Sequence, residues 1–124
     1  MRCYCHGVHT TTAQAFGIPE GTLAALLDDV GTAPVAEPVK PLLRYARKLT
    51  LTPSKMAPAD ALPVLAAGWP EQALHDAVAV RGLFNLMNRL VEGLGITAGE
   101  DYFQASARRL AETGYEGLRD LLTP

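Results

Sequence analysis

Between Trp69-Pro70 and Gly95 the chain runs from Glu71 to Leu94 without a proline, and its apolar residues recur at helical spacing. Leu74, Ala77, Val78, Val80, Leu83, Phe84, Met87, Leu90, Val91 and Leu94 leave little polar face in the middle of that segment. A helix apolar on so much of its circumference is either buried centrally or packed against another subunit. One small monomer has too little surface to cover it, so the segment predicts a helical bundle that forms a homo-oligomer.

The remaining pattern is helical as well. Arg2 to Phe16 reads as a helix ended by Gly17, with the three threonines Thr10 to Thr12 lowering its propensity so that tertiary packing must hold it. Pro19 suits the first turn of a second helix, in which Leu23, Leu26, Leu27 and Val30 form one stripe that stops near Gly31. Thr32 to Pro41 holds three prolines and reads as a loop leading into the next start. From Pro38 to Leu51, Leu42, Leu43, Ala46 and Leu49 face one way, while Lys40, Arg44, Arg47 and Lys48 face water. Thr52-Pro53 breaks this helix. A short helix follows Asp60, its candidate cap, with Pro63 in the first turn and Gly68 at the end. Beyond the long segment, Gly99 to Thr113 and Tyr115 to Leu122 read as two more amphipathic helices. No stretch alternates with period two between turn residues, so no strands are expected. The expected fold is all-α, a single domain over residues 1–124 with about six helices joined by short Gly/Pro loops.

Eleven basic and thirteen acidic residues leave a net charge of −2, with both signs scattered. Nucleic acid and anionic membrane surfaces are therefore not expected partners, since both need a basic footprint. The N-terminal Met-Arg-Cys-Tyr-Cys-His has no apolar stretch behind its positive charge and does not read as a secretory signal. A cytoplasmic location is expected.

One local feature is chemically unusual. Cys3, Cys5, His6 and His9 bring both cysteines and two of the three histidines into seven consecutive residues. In the opening turn of a helix, free amides and the positive end of the dipole favour thiolate over thiol. Cys5 and His9 are four apart and so share one helix face, where an imidazole can accept the thiol's proton or return it to a leaving group. The plainer reading is a small buried cysteine beside a satisfied histidine. All four side chains are also soft or borderline metal ligands. Residues two apart on a helix point to nearly opposite sides, which argues against one ion taking all four, and neither metal nor cofactor is expected.

Tyr4-Cys5-His6-Gly7-Val8-His9, followed by Thr-Thr-Thr-Ala and a Gly-Ile-Pro turn, resembles the AhpD-like (alkyl hydroperoxidase D) and carboxymuconolactone decarboxylase superfamily, whose motif is Cys-x-Tyr-Cys-x-x-x-His. Ala66-Ala67-Gly68-Trp69, the Phe84-Asn85-Leu86-Met87-Asn88-Arg89 stretch, Gly93-Leu94-Gly95 and Gly114-Tyr115-Glu116-Gly117-Leu118 are similar to its peroxidase-related subgroup. The resemblance implies an AhpD-like helical bundle that assembles into trimers, hexamers or related oligomers. It also implies antioxidant chemistry, in which a hydroperoxide is reduced with electrons from a dithiol donor.

On that resemblance Cys5 matches the peroxidatic cysteine and His9 the proton-relay histidine, with Tyr4 and His6 beside them. The family's resolving cysteine falls at Arg2, and the second thiol stands one place on, at Cys3. An i, i+2 pair on a helix diverges, so a Cys3–Cys5 disulfide would need an unwound first turn. The relay glutamate and the family's first helices would lie before Met1, so the domain is expected to be short at its N-terminus relative to the family. Two alternatives stand beside a peroxidase: a catalytically impaired helical oligomer and a carboxymuconolactone decarboxylase-like enzyme. Trp69 is expected to plug the core at its turn, Asn85 and Asn88 to satisfy backbone or subunit contacts, and His75 to lie on the surface or at an interface.

Overall fold

The structure is a computed structural model that describes residues 4–116. Among these residues it is all-helical, with six α-helices and no strand: α1 Tyr4–Ala15, α2 Thr22–Asp28, α3 Val39–Leu51, α4 Leu62–Ala66, α5 Glu71–Gly93 and α6 Glu100–Thr113. Two single 3-10 turns, Pro53–Lys55 and Pro58–Asp60, join α3 to α4. None of the described helices is long and apolar enough to cross a membrane. The expected Tyr115–Leu122 helix lies mostly outside the described residues, as do Arg2 and Cys3.

The chain divides into two compact units. The first combines the described residues up to Gly21 with those from Asn88 onward. Here α1 packs along α6, and the interior is built from Phe103, Ser106, Ala107 and Leu110 of α6 against Gly7, Thr11 and Thr12 of α1. Two buried threonines make α1 a weak helix former in isolation, so packing on α6 supplies what propensity does not. Gly17, at φ 91°, closes the end of α1 in a left-handed conformation that a β-carbon would disfavour.

The second unit, Thr22–Met87, has its fully buried Val64 on α4, and Val30 and Ala33 of the α2–α3 loop are buried as well. Arg47 of α3 donates to the Leu27 carbonyl at the end of α2 (3.3 Å). The Thr50 hydroxyl joins α3 to α5 by accepting from Arg81 Nε and, at 3.4 Å, from Asn85 Nδ2. Trp69 does not fill a core gap. It is half-exposed and fixes its turn by donating Nε1–H to the Pro38 carbonyl at 2.6 Å.

Three local expectations differ from the structure. Helix α2 begins at Thr22 rather than near Pro19 and ends at Asp28, before Gly31. Lys40 does not face water. Its side chain is only 8% exposed, with Nζ donating to the Gly31 carbonyl (2.8 Å) and paired with Glu37. A lysine in the first turn of a helix opposes the dipole, and the carbonyl and carboxylate offset that cost. Asp60 does not cap α4. Its carboxylate accepts from the Ala57 backbone N–H (2.7 Å) and from Lys48 Nζ (2.7 Å), closing the preceding 3-10 turn and clamping it to α3. These two bonds, the Lys48 partner foremost, hold the Asp60 carboxyl below its ordinary pKa. The long helix is not buried centrally: Val80, Leu83, Leu86 and Leu90 are all exposed.

Candidate active site

Helix geometry sorts the N-terminal cluster. With 100° between successive residues, Tyr4, Gly7, Val8 and Thr11 turn toward α6, Cys5 and His9 lie together on the border of that face, and His6 points away. Burial follows this order: Gly7 and Thr11 are buried, Cys5 is half-buried, and His6 and His9 are exposed. Cys5 lies in the first described turn of α1 and is half-buried. His9 stands one turn further on the same flank, with about 5–6 Å expected between the two β-carbons. Although solvent reaches His9, protein atoms around its ring remove enough water to hold the pKa below its ordinary 6.5. The imidazole is therefore neutral near pH 7 and can accept a proton.

The approach of α1 to α6 sets where this flank sits. Gly7 faces the Phe103 ring so closely that a β-carbon at position 7 would overlap it. Phe103 is in turn framed edge-on by Tyr4 (centroids 6.3 Å) and Tyr102 (6.4 Å). The Tyr4 and Tyr102 hydroxyls share a hydrogen bond of 3.0 Å, with their rings 5.9 Å apart. That bond is the largest cause of a Tyr4 pKa pushed up to about 12; burial and charge on Tyr102 and Cys5 add to it. A negative charge on Cys5 is thus felt at the Tyr4 phenol, one residue away.

Cys5, His9 and Tyr4 are therefore neighbours on one helix, and His6 is turned out of the group. Cys3 lies outside the described residues. No three His, Cys, Asp or Glu side chains among the described residues gather into a metal-holding group. Sequence reasoning missed Tyr102 and Phe103 of α6, which lie about a hundred positions from the motif. The available signal was a glycine inside a helix, which invites a close neighbour. Asn85 bonds Thr50 on α3 within the second unit, and His75 is exposed on α5.

No protein-family model, no curated protein and no solved structure matches this chain.

Proposed function

We propose that the chain is an AhpD-like, thiol-dependent hydroperoxidase of the cytoplasm, with Cys5 as the attacking sulfur and His9 as its proton relay. The observation that carries this reading is a half-buried cysteine sharing one helix flank with an imidazole kept neutral by desolvation. His9 takes the Cys5 proton, and the first-turn amides stabilise the resulting thiolate. The thiolate attacks one oxygen of the hydroperoxide. An S–O bond forms as the O–O bond breaks, and the imidazolium returns its proton to the departing alkoxide, giving an alcohol and a Cys5 sulfenic acid. A dithiol donor then restores the thiol. Its first sulfur displaces water to give a mixed disulfide, and its second releases Cys5 as the donor leaves oxidised. Cys3 is the candidate intramolecular resolver in place of the donor's first sulfur.

The test is peroxide consumption with a dithiol donor, comparing the wild type with Cys5→Ser. Loss of turnover in the variant is expected. Equal rates would remove the reading and leave the catalytically impaired helical protein, for which an ordinary Cys5 thiol pKa near 8.5 is the matching sign.

A further inference from the structure

We propose that Thr12 of α1 and Arg109 of α6 form an anion subsite beside Cys5, which gives the thiol a preference for reactants that carry a carboxylate. The subsite rests on Cys5 being the attacking sulfur, and it names the substrate class as hydroperoxides bearing a carboxylate. Among the described residues, two buried side-chain polar atoms have no hydrogen-bond partner: the Thr12 hydroxyl oxygen and Arg109 Nε. Both belong to the α1–α6 unit. Thr12 is 6% exposed, while Arg109 as a whole is half-buried and reaches the surface. No carboxylate among the described residues pairs with Arg109.

Helix phase brings these two residues to the flank of the thiol. The first turns of α1 and α6 meet at Tyr4–Tyr102 and Gly7–Phe103. Burial then runs on to Thr12 in one helix and Leu110 in the other, so the two helices are parallel. At about 100° per residue, Thr12, Cys5 and His9 fall to one side of the line along which α1 faces α6. Tyr102 and Arg109 fall to the opposite side of the matching line on α6. Parallel helices turn in the same sense, so opposite sides of two facing lines adjoin. The Thr12–Cys5–His9 flank therefore borders the Tyr102–Arg109 flank, in keeping with the Tyr4 phenol feeling charge on both Tyr102 and Cys5. With Gly7 opposite Phe103, Arg109 starts about one turn beyond His9, and its long side chain tilts back toward the helix N-terminus and Cys5.

The donor set suits a carboxylate. Arginine Nε and one Nη form a planar fork that matches two carboxylate oxygens, and the threonine hydroxyl adds a third donor. An N–H and an O–H taken from water without acceptors carry a cost that an anionic oxygen relieves once the end of the arginine turns toward it. His9, neutral near pH 7, brings no competing charge.

Iodoacetate and iodoacetamide test the subsite without peroxide, because sulfur displaces iodide from both and only the first is an anion. Rates are read at Cys5 by fragment mass, with the urea-unfolded chain as the reference for the two reagents. The wild type is expected to favour iodoacetate at least about fivefold more than the unfolded chain does. Arg109→Gln should abolish that excess and leave the iodoacetamide rate unchanged. Arg109→Lys, a charge without the fork, should keep part of it, and Thr12→Val should lower it. Acetate, set against chloride at equal ionic strength, should slow iodoacetate and spare iodoacetamide in the wild type, which decides the matter if Arg109→Gln does not fold. A wild type with no excess overturns the proposal, as does acetate that slows both reagents alike. So does a folded Arg109→Gln that keeps the excess or slows toward both reagents together. Peroxide turnover separates this from the reading it rests on. A carboxylate-bearing hydroperoxide consumed no faster than a neutral one, with Cys5→Ser inactive, removes the subsite and leaves the peroxidase. An Arg109-dependent iodoacetate preference in a protein that consumes neither peroxide keeps the subsite and removes the peroxidase.

Discussion

Gly7 of α1 and Phe103 of α6 stand in contact so close that the aromatic ring occupies the space a β-carbon on Gly7 would need. Gly7→Ala therefore sets two effects against each other. Alanine favours the helix by about 1 kcal/mol, whereas forcing a methyl into a packed interior costs about 1–3 kcal/mol. Phe103 is 3% exposed and held edge-on by two tyrosines, so the ring has little room to retreat and the clash prevails. A net loss of about 1–2 kcal/mol is expected in the urea unfolding of the α1–α6 unit. A more stable Gly7→Ala would show that the helices separate easily.

The phenol pair beside this contact has its own signature in alkali. With its pKa raised to about 12, Tyr4 keeps its proton in the folded state beyond the point where the unfolded chain, near 10, releases it. The associated stability is fully present below pH 10 and is lost as pH rises toward 12. Tyr102→Phe removes the largest cause and should bring the late step of the phenolate absorbance titration down toward 10. A wild-type profile in which all four tyrosines ionise together near 10 would contradict the shared bond.

These contacts mark where the sequence stops being readable. Helix ends were legible because glycine tolerates a left-handed backbone, and Gly17 and Gly95 stop α1 and α5 at positive φ as expected. The apolar period located α3, α5 and α6 to within a few residues, since burial of one face repeats every 3.6 positions. The pairing of Gly7 with Phe103 has no local signal, because nothing near either residue specifies a partner 96 positions away. Lys40 misled for another reason: periodicity placed it with Arg44 and Arg47 on the wet face, but a long aliphatic stem lets its amine reach the Gly31 carbonyl. Asp60 is acceptor-rich and precedes a helix, which is also the description of a residue that closes the turn before it. In the candidate site, the i, i+4 relation of Cys5 to His9 followed from helix geometry alone, whereas the Tyr102 hydroxyl did not.

Lys40 and Arg44 now make a contrasting pair. Lys40→Met keeps the packed stem but removes the donor to Gly31 and the partner of Glu37, leaving a carbonyl in the loop unsatisfied. A loss of about 1–3 kcal/mol is expected. Arg44→Met, on the exposed side of α3, should stay within about 0.5 kcal/mol of the wild type. Equal effects in urea titrations of the two variants would mean that the buried amine contributes no more than a surface charge.

His9 gives the structure a pH dependence whose direction is fixed by its surroundings. Desolvation lowers its folded pKa below 6.5, so between the two values the unfolded chain binds a proton that the native chain does not. The stability tied to this group is complete above pH 6.5 and drains away as pH falls through the folded value. The wild-type urea midpoint should therefore decline below pH 6.5, before the bulk of the carboxylates titrate, and His9→Gln should flatten that decline. The same shift keeps the imidazole neutral in mildly acidic solution. Alkylation of Cys5 that uses His9 as proton acceptor should then hold its rate to a pH below 6.5, with His9→Gln removing this acidic limb. A wild-type midpoint that rises on acidification from pH 7 to 5.5, or one that falls identically in His9→Gln, would show that His9 does not sit in the desolvated setting described.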